Sequence, residues 1–396
     1  MNISEQGVNE CSGCGLCAVA CPHAAIEVRH NAAGFFEPAV AAEKCVNCSI
    51  CTNVCYKYLP AKEPFENVFQ EKRIYGAWSK NRDTVISSSS GGVGYELTKY
   101  FRQNGYKICG CIFEAANNCC RHIVAESDAD LEAIKTSKYL QSYTVSAFSQ
   151  FTRGEKYLVV GSPCQIYGLR KYIQDKKWED NFLLVDFFCH GTPSFNLWKK
   201  YKEHLCKNKK FLKDVRTVNF RHKDVYTAWH SYSTTAKDSA GTQFAQPFAV
   251  NMFFRFFLND SCLNAACYHC KLRLDHCAAD IRIADFWGDK YADNDSGVSL
   301  VITNSDRGQQ AFDLLQPQLT VERCAFADLK NSQGQRFFEP HKERTAILCE
   351  LQGKTALEKI GKKYFGYREE YKKTERFLSR LIRIISAWNN KTTEGI

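Results

Sequence analysis

Eight cysteines in a doubled register constrain the first sixty residues more tightly than anything else in this chain. Cys11, Cys14, Cys17 and Cys21 follow C-x2-C-x2-C-x3-C with Pro22 next, and Cys45, Cys48, Cys51 and Cys55 repeat the spacing. Three thiolates two residues apart wrap one face of an iron–sulfur cubane, and the fourth, three residues on, reaches the other cluster. The spacing therefore predicts two 4Fe–4S clusters. Cys11, Cys14, Cys17 and Cys55 are expected to hold one; Cys45, Cys48, Cys51 and Cys21 hold the other. Gly13 and Gly15 let the backbone bend around the metal and leave amides free to donate to sulfur. Zinc favours two-plus-two spacing in a closed tetrahedron, a pattern this register does not follow. Tyr56 stands where a proline would complete the repeat, and the ligands are unaffected.

The chain has 396 residues, enough for a large second domain beside such a module. Its 21 cysteines are an odd number, no secretory leader opens the sequence, and the first eight sit at metal-ligand spacing. A cytoplasmic chain is the expectation. No apolar run approaches the roughly 18 residues of a membrane helix, so no transmembrane segment is expected. The formal charge of +10 counts cysteines as neutral. Each cluster with four thiolates contributes about −2, so two bring the total to about +6 and three to about +4. No nucleic-acid partner is expected from that balance.

Residues 1–60 read as an α+β, ferredoxin-like dicluster module and residues 61–75 as a polar linker. Beyond it, KICGCIF, KYLVVG and FLLVDFFC have the short, apolar, β-branched character of buried strands. They alternate with amphipathic stretches at Val93–Gln103, Gln165–Ile173 and Asn196–Leu205, which predicts an α/β domain with a mostly parallel sheet. The stretch 311–396 reads as a basic helical tail, with Phe377, Leu378, Leu381, Ile382 and Ile385 on one face.

Three further segments carry chemistry. SSSSGGVG (87–94) precedes a helix, where backbone N–H groups either surround a phosphate or simply cap and turn. Cys164 and Cys189 each follow a predicted strand, and in a parallel sheet the carboxyl ends of strands share the edge where ligands bind. Buried free thiols are the other reading of that pair. Cys262, Cys267, Cys270 and Cys277 form a third group, which alone also suits zinc with His269. Cys109, Cys111, Cys119 and Cys120 read as structural, the first two on one strand face. Asp285 ends another predicted strand, placed either to meet a cofactor or to cap a turn.

In order, SSSSGGVG, KYLQS, GSPCQIYGLRKYI, VDFFCHGTPS, CLNAACYHC, ADIRIADFWG and GVSLVITN make the chain similar to the coenzyme F-420 hydrogenase/dehydrogenase beta-subunit family, in its bacterial form with a fused dicluster ferredoxin. The resemblance runs from about residue 1 to 305, with a region like the family's N-terminal part at 76–155 and one like its C-terminal part at 156–310. It implies a flavoprotein with FAD beside a third 4Fe–4S cluster. By motif that cluster falls to Cys164, Cys189, Cys267 and Cys270, with Cys262 as a substitute. The flavin-binding residues it implies are Ser89, Ser90, Gly91, Gly92, Val93, Lys138, Tyr139 and Gln141. The expected function is an iron–sulfur flavoprotein oxidoreductase. It would relay single electrons from a low-potential donor or redox partner protein to a small-molecule acceptor, a deazaflavin being one candidate. The alternative is an electron-transfer subunit feeding a separate catalytic partner, for example in surface-polysaccharide metabolism.

Overall fold

A computed structural model describes residues 1–4, 11–58, 73–207, 212–223, 229–273, 277–333 and 339–366. The apolar face expected on the tail, and the linker up to residue 72, lie outside the described residues. Near the N-terminus, strands β1 (Ile26–His30) and β2 (Phe36–Val40) form an antiparallel hairpin. Two short helices flank it, Leu16–Ala20 and Ile50–Asn53, each carrying part of a cysteine motif.

The main domain is built on a nine-stranded sheet. Its strands are β3 (Arg73–Ser79), β4 (Lys107–Glu114), β5 (Cys119–Val124), β6 (Ser142–Tyr143), β7 (Tyr157–Val160) and β8 (Phe182–Phe187). After a separate three-stranded sheet of β9 (Thr217–His222), β10 (Ser233–Lys237) and β11 (Gln243–Pro247), the large sheet resumes with β12 (Ile281–Asp285), β13 (Ser299–Thr303) and β14 (Leu319–Cys324). The large sheet runs β14-β3-β13-β12-β8-β7-β4-β5-β6. The block β12-β8-β7-β4 is parallel, as is β5-β6, but β14-β3, β3-β13, β13-β12 and β4-β5 are antiparallel. The sheet is thus mixed, where a mostly parallel one was expected. A strand covered on both faces reads as a continuous apolar run whichever way its neighbour points. Antiparallel β13 (SLVIT), buried throughout, is indistinguishable in sequence from parallel β7 (YLVV). β14 comes from beyond residue 310 and forms one edge of the sheet.

Helices cover both faces. Val93, Leu97 and Phe101 recur at four-residue intervals along helix Val93–Gln103 and are buried, which turns one stripe of it onto the sheet. Helix Pro163–Lys176 begins with Pro163 at its first position. Gln165 returns a bond to the Ser162 N–H at 2.9 Å, so the helix start directly after β7 is sharply fixed. Beside the large sheet, Phe253, Phe254, Phe256 and Phe257 pack with Trp198, Tyr201 and Phe220 in an aromatic core under the smaller sheet.

The cysteine-rich module is docked firmly onto this domain. Leu16 and Val54 belong to the same core as Ile166, Leu169 and Phe182. His30 stacks between Phe36 and Phe195, with ring centroids 4.0 and 4.7 Å away. A Cβ at Gly168 would lie 2.9 Å from Leu16 Cγ and 3.3 Å from the Val54 carbonyl oxygen. Only glycine therefore allows the helix to approach the module so closely. Gly168→Val is expected to lower stability by about 1–3 kcal/mol through overpacking. Urea unfolding followed by intrinsic fluorescence checks this, and a change below about 0.5 kcal/mol, the scale of a neutral surface substitution, would contradict it.

Candidate functional site

The carboxyl ends of β7, β8 and β12 open on one edge of the sheet, and the candidate residues collect there. Helix Pro163–Lys176 carries Cys164 straight off β7, and Cys189 follows β8 by two residues. Cys267 and Cys270 reach the same place from a short helical segment after the aromatic core. Arg273 ties the two approaches together by donating to the carbonyl oxygens of His190 at 2.6 Å and Cys267 at 3.1 Å. The Thr192 N–H donates to Cys267 Sγ at 3.4 Å. Gly191 has a φ of 138°, and a Cβ there would stand 3.2 Å from the Cys267 Cβ, so the loop after Cys189 must be bare.

Electrostatics records how close these thiols lie. Burial drives the Cys189 thiol up to about 12, and charge at Cys164 and Cys270 adds to it. Burial likewise pushes Cys267 and Cys270 upward, with Cys164 among the neighbours of both. The N-terminal thiols behave in the same way. Cys11 is raised to about 11 by burial, with Cys55 and Cys164 as sulfur neighbours, and Cys14 is raised by burial, then by Cys164 and Cys55. Cys17 has Cys11 and Cys55 beside it, whereas Cys51 has Cys21 and Cys48. The neighbours thus divide as the doubled register expects, and Cys164 joins the N-terminal group to the later one. Tyr56 lies in the seam, its phenol pushed up by burial and by charge at Cys270, Cys164, Cys267 and Cys14.

This donor set suits an iron–sulfur core chemically. Several thiolates buried together are costly unless a cationic centre offsets them. Amides already point at sulfur, Gly13 N–H to Cys11 at 3.3 Å and Ala25 N–H to Cys21 at 3.4 Å. Among the described residues no three Cys, His or carboxylate side chains converge as a single ion requires, so the grouping is looser than a closed zinc site. Cys262 is buried elsewhere, beside Ser261, Ser194 and Arg344. Cys277 turns to Asp186 at 3.7 Å, where that carboxylate is already held by Arg282 at 2.6 and 2.8 Å.

Next to these thiols is a cavity of about 1050 Å³. Ser89, Ser90, Gly92, Val93, Lys138, Tyr139 and Gln141 line it together with Cys14, Cys164 and Cys189. Gly91 instead packs into the sheet, its N–H donating to Ser299 Oγ at 3.0 Å and its carbonyl accepting from Ser79 at 2.8 Å. Helix Val93–Gln103 starts at Gly92 without a side-chain cap, and the buried Ser88 Oγ has no hydrogen-bond partner. A cap-free helix start beside an orphaned hydroxyl is a suitable cradle for phosphate. Lys223 braces this loop by donating to the carbonyl oxygens of Val85, Ser90 and Ser296, and burial lowers its pKa to about 7.

Sequence reading missed Arg221, Lys223 and His122, all isolated polar residues in segments without a motif. Arg221 pairs with Asp285, and its guanidinium lies 4.4 Å from the Tyr232 ring centroid and 5.3 Å from that of Trp287. Gln141 has a second use that its motif did not reveal. Its amide accepts from Phe36 N–H at 2.7 Å and donates to the Ser12 carbonyl at 2.8 Å, stitching the cysteine-rich module to the cavity wall.

A dicluster module set against an α/β domain, with further thiols between them, defines a class of iron–sulfur electron-transfer proteins. Residues 10–57 match the 4Fe-4S dicluster domain. Through residues 154–327, which match the C terminus of the coenzyme F-420 hydrogenase/dehydrogenase beta subunit, the chain belongs to that beta-subunit family. It is 27% identical over 190 residues to the F-type subunit of F(420)H(2) dehydrogenase from Methanosarcina mazei, covering 45% of this chain and 53% of that one. It is 31% identical over 180 residues to the coenzyme F-420-dependent sulfite reductase of Methanocaldococcus jannaschii, covering 43% of this chain and 26% of that one. The alignments thus span about half of the first relative and a quarter of the second. A chain of the coenzyme F-420-reducing nickel–iron hydrogenase complex from Methanosarcina barkeri aligns with a TM-score of 0.43 at 15% identity, over 73% of this chain and 90% of that one.

Gln141→Leu removes both bonds between module and cavity wall while leaving two buried backbone groups unpaired. It is expected to cost about 1–3 kcal/mol of stability. Hydrogen exchange is the check: protection should fall at the Phe36 N–H, and unchanged exchange there would refute the stitch.

Proposed function

We propose that this chain is an iron–sulfur flavoprotein oxidoreductase. In this reading electrons enter through two 4Fe–4S clusters, held by Cys11, Cys14, Cys17 and Cys55 and by Cys45, Cys48, Cys51 and Cys21. A third 4Fe–4S cluster is held by Cys164, Cys189, Cys267 and Cys270, and FAD occupies the neighbouring cavity. One observation carries the reading: Cys164 neighbours both the N-terminal thiols Cys11 and Cys14 and the later thiols Cys189, Cys267 and Cys270, at the edge of a 1050 Å³ cavity.

Clusters exchange single electrons and a flavin interconverts one- and two-electron transfer, which is the chemistry these groups supply when bound. The protein's own part is placement. The Ser88–Val93 loop and its helix start receive the phosphates, with Lys223 holding the loop in shape. The cavity volume is at the upper end of the roughly 300–1,000 Å³ usual for ligand pockets, which accommodates a dinucleotide. Lys138 stays close by, its ammonium donating to the Ile134 carbonyl at 2.9 Å, and burial lowers its pKa to about 8. Low-potential electrons from a donor or partner protein then serve reduction of a small molecule, a deazaflavin among the candidates. The Methanosarcina mazei relative is named as one subunit of a dehydrogenase, which favours a second reading in which this chain passes electrons to a separate catalytic partner.

Protein purified without oxygen is expected to hold about twelve irons and twelve sulfides per chain, and Cys164→Ser about eight of each, with the N-terminal clusters kept. Bound FAD is expected in both. Iron and sulfide assays with chromatography of released flavin are the check. Eight irons in the unsubstituted chain would remove the third cluster, and absence of flavin at saturating FAD would remove the flavoprotein reading.

A further inference from the structure

Away from the proposed cluster ligands, the cavity wall made by β4, β5 and β6 carries a group of reactive side chains. Cys111, His122, Lys138 and Ser142 all line the cavity. The register brings them together. Cys111 on β4 is opposite His122 on β5, and Cys120 on β5 is opposite Ser142 on β6. Directly paired residues share a sheet face, so the four side chains stand on one side.

Hydrogen bonding fixes the protons in this group. His122 Nε2 lies 3.0 Å from the Val160 carbonyl oxygen, which only accepts, so Nε2 carries the proton. Nδ1 is therefore the acceptor, and the Ser142 hydroxyl donates to it at 2.7 Å. That leaves the Ser142 oxygen free to accept from the Cys111 thiol, which is within its reach. The chain runs from Cys111 through Ser142 to His122 Nδ1, and it reverses without moving a heavy atom when the thiol ionises. Facing the sulfur are the Cys120 thiol from β5 and the Lys138 ammonium from the loop after helix Asp128–Ile134; Cys109 follows on its own strand.

We infer that Cys111 is the reactive thiol of the cavity, a modification site for small, uncharged, soft electrophiles such as haloacetamides and α,β-unsaturated carbonyl compounds. With a haloacetamide the sulfur forms a bond to carbon as the carbon–halogen bond breaks and halide leaves. The thiol proton passes to Ser142 while the Ser142 proton passes to His122 Nδ1, and Lys138 faces the sulfur as its negative charge develops. No oxidant or reductant is consumed. The environment favours this chemistry at neutral pH, since the Cys120 hydrogen bond and then the Lys138 charge bring the Cys111 thiol down to about 7 against the opposing effect of burial. Cys109 and Cys120, both fully buried, are shifted the other way.

The test is alkylation of flavin-free, anaerobically purified full-length protein with iodoacetamide from pH 5.5 to 9, read by peptide mass spectrometry. Exposed Cys349 is the solvent-facing reference in the same digest. The Cys111 rate should reach half its maximum near pH 7 and exceed the rates of Cys109 and Cys120 at least about tenfold, the equivalent of one pKa unit. Ser142→Ala and His122→Phe should each slow Cys111 while leaving Cys349 unchanged. Labelling of Cys111 no faster than Cys109, or a rate still rising at pH 9 as at an ordinary thiol, would overturn the inference with no variant needed. An unchanged Cys111 rate in folded Ser142→Ala would overturn the proton route.

Discussion

Sulfur anions do not stay buried unless something positive is buried with them, and this requirement governs the arrangement of the whole molecule. Cys11, Cys14, Cys17, Cys189, Cys267 and Cys270 all sit where burial opposes ionisation. As free thiols they would be protonated and inert. Around an iron–sulfur core the same positions become useful, because the core supplies the charge and the surrounding amides and packing tune its potential. The bare glycines, the amides turned to sulfur and the close docking of the module all follow from closing the protein around such groups.

Docking determines what those groups can do together. A dicluster module on a loose tether would exchange electrons only by collision. Here Leu16 and Val54 join the core of the main domain, Gln141 bonds to two backbone groups of the module, and Thr144 donates to the Cys14 carbonyl at 2.7 Å. Cys14 and Cys164 are thereby held as neighbours on opposite sides of the seam, with the Tyr56 ring between the two sulfur groups. That residue occupies the one position where the second cysteine motif departs from the first.

How much was legible in advance depended on the range of the interaction. The N-terminal cysteines announce themselves because cubane ligation imposes a local spacing. Cys164, Cys189, Cys267 and Cys270 are scattered over more than a hundred positions, so only the ordered family motifs pointed to them, and the fold then made them neighbours. Sheet direction was not legible, since buried β13 and β7 look alike although one runs against its neighbours. The reading of Cys111 as structural rested on strand alternation, which identifies a face but not what that face borders; the cavity beside it is formed by segments distant in sequence. Arg221 and Lys223 gave no signal because their partners, Asp285 and the carbonyls of the serine loop, are assembled only by the tertiary fold.

If the three sulfur groups hold clusters in the arrangement described, their unpaired spins must interact when the clusters are reduced. Electron paramagnetic resonance of the fully reduced, oxygen-protected protein measures this directly. The account predicts broadened, split signals from interacting 4Fe–4S centres that simplify when Cys164 is replaced by serine. Sharp, independent signals that are indifferent to that substitution, or a colourless protein with zinc in place of iron, would contradict it.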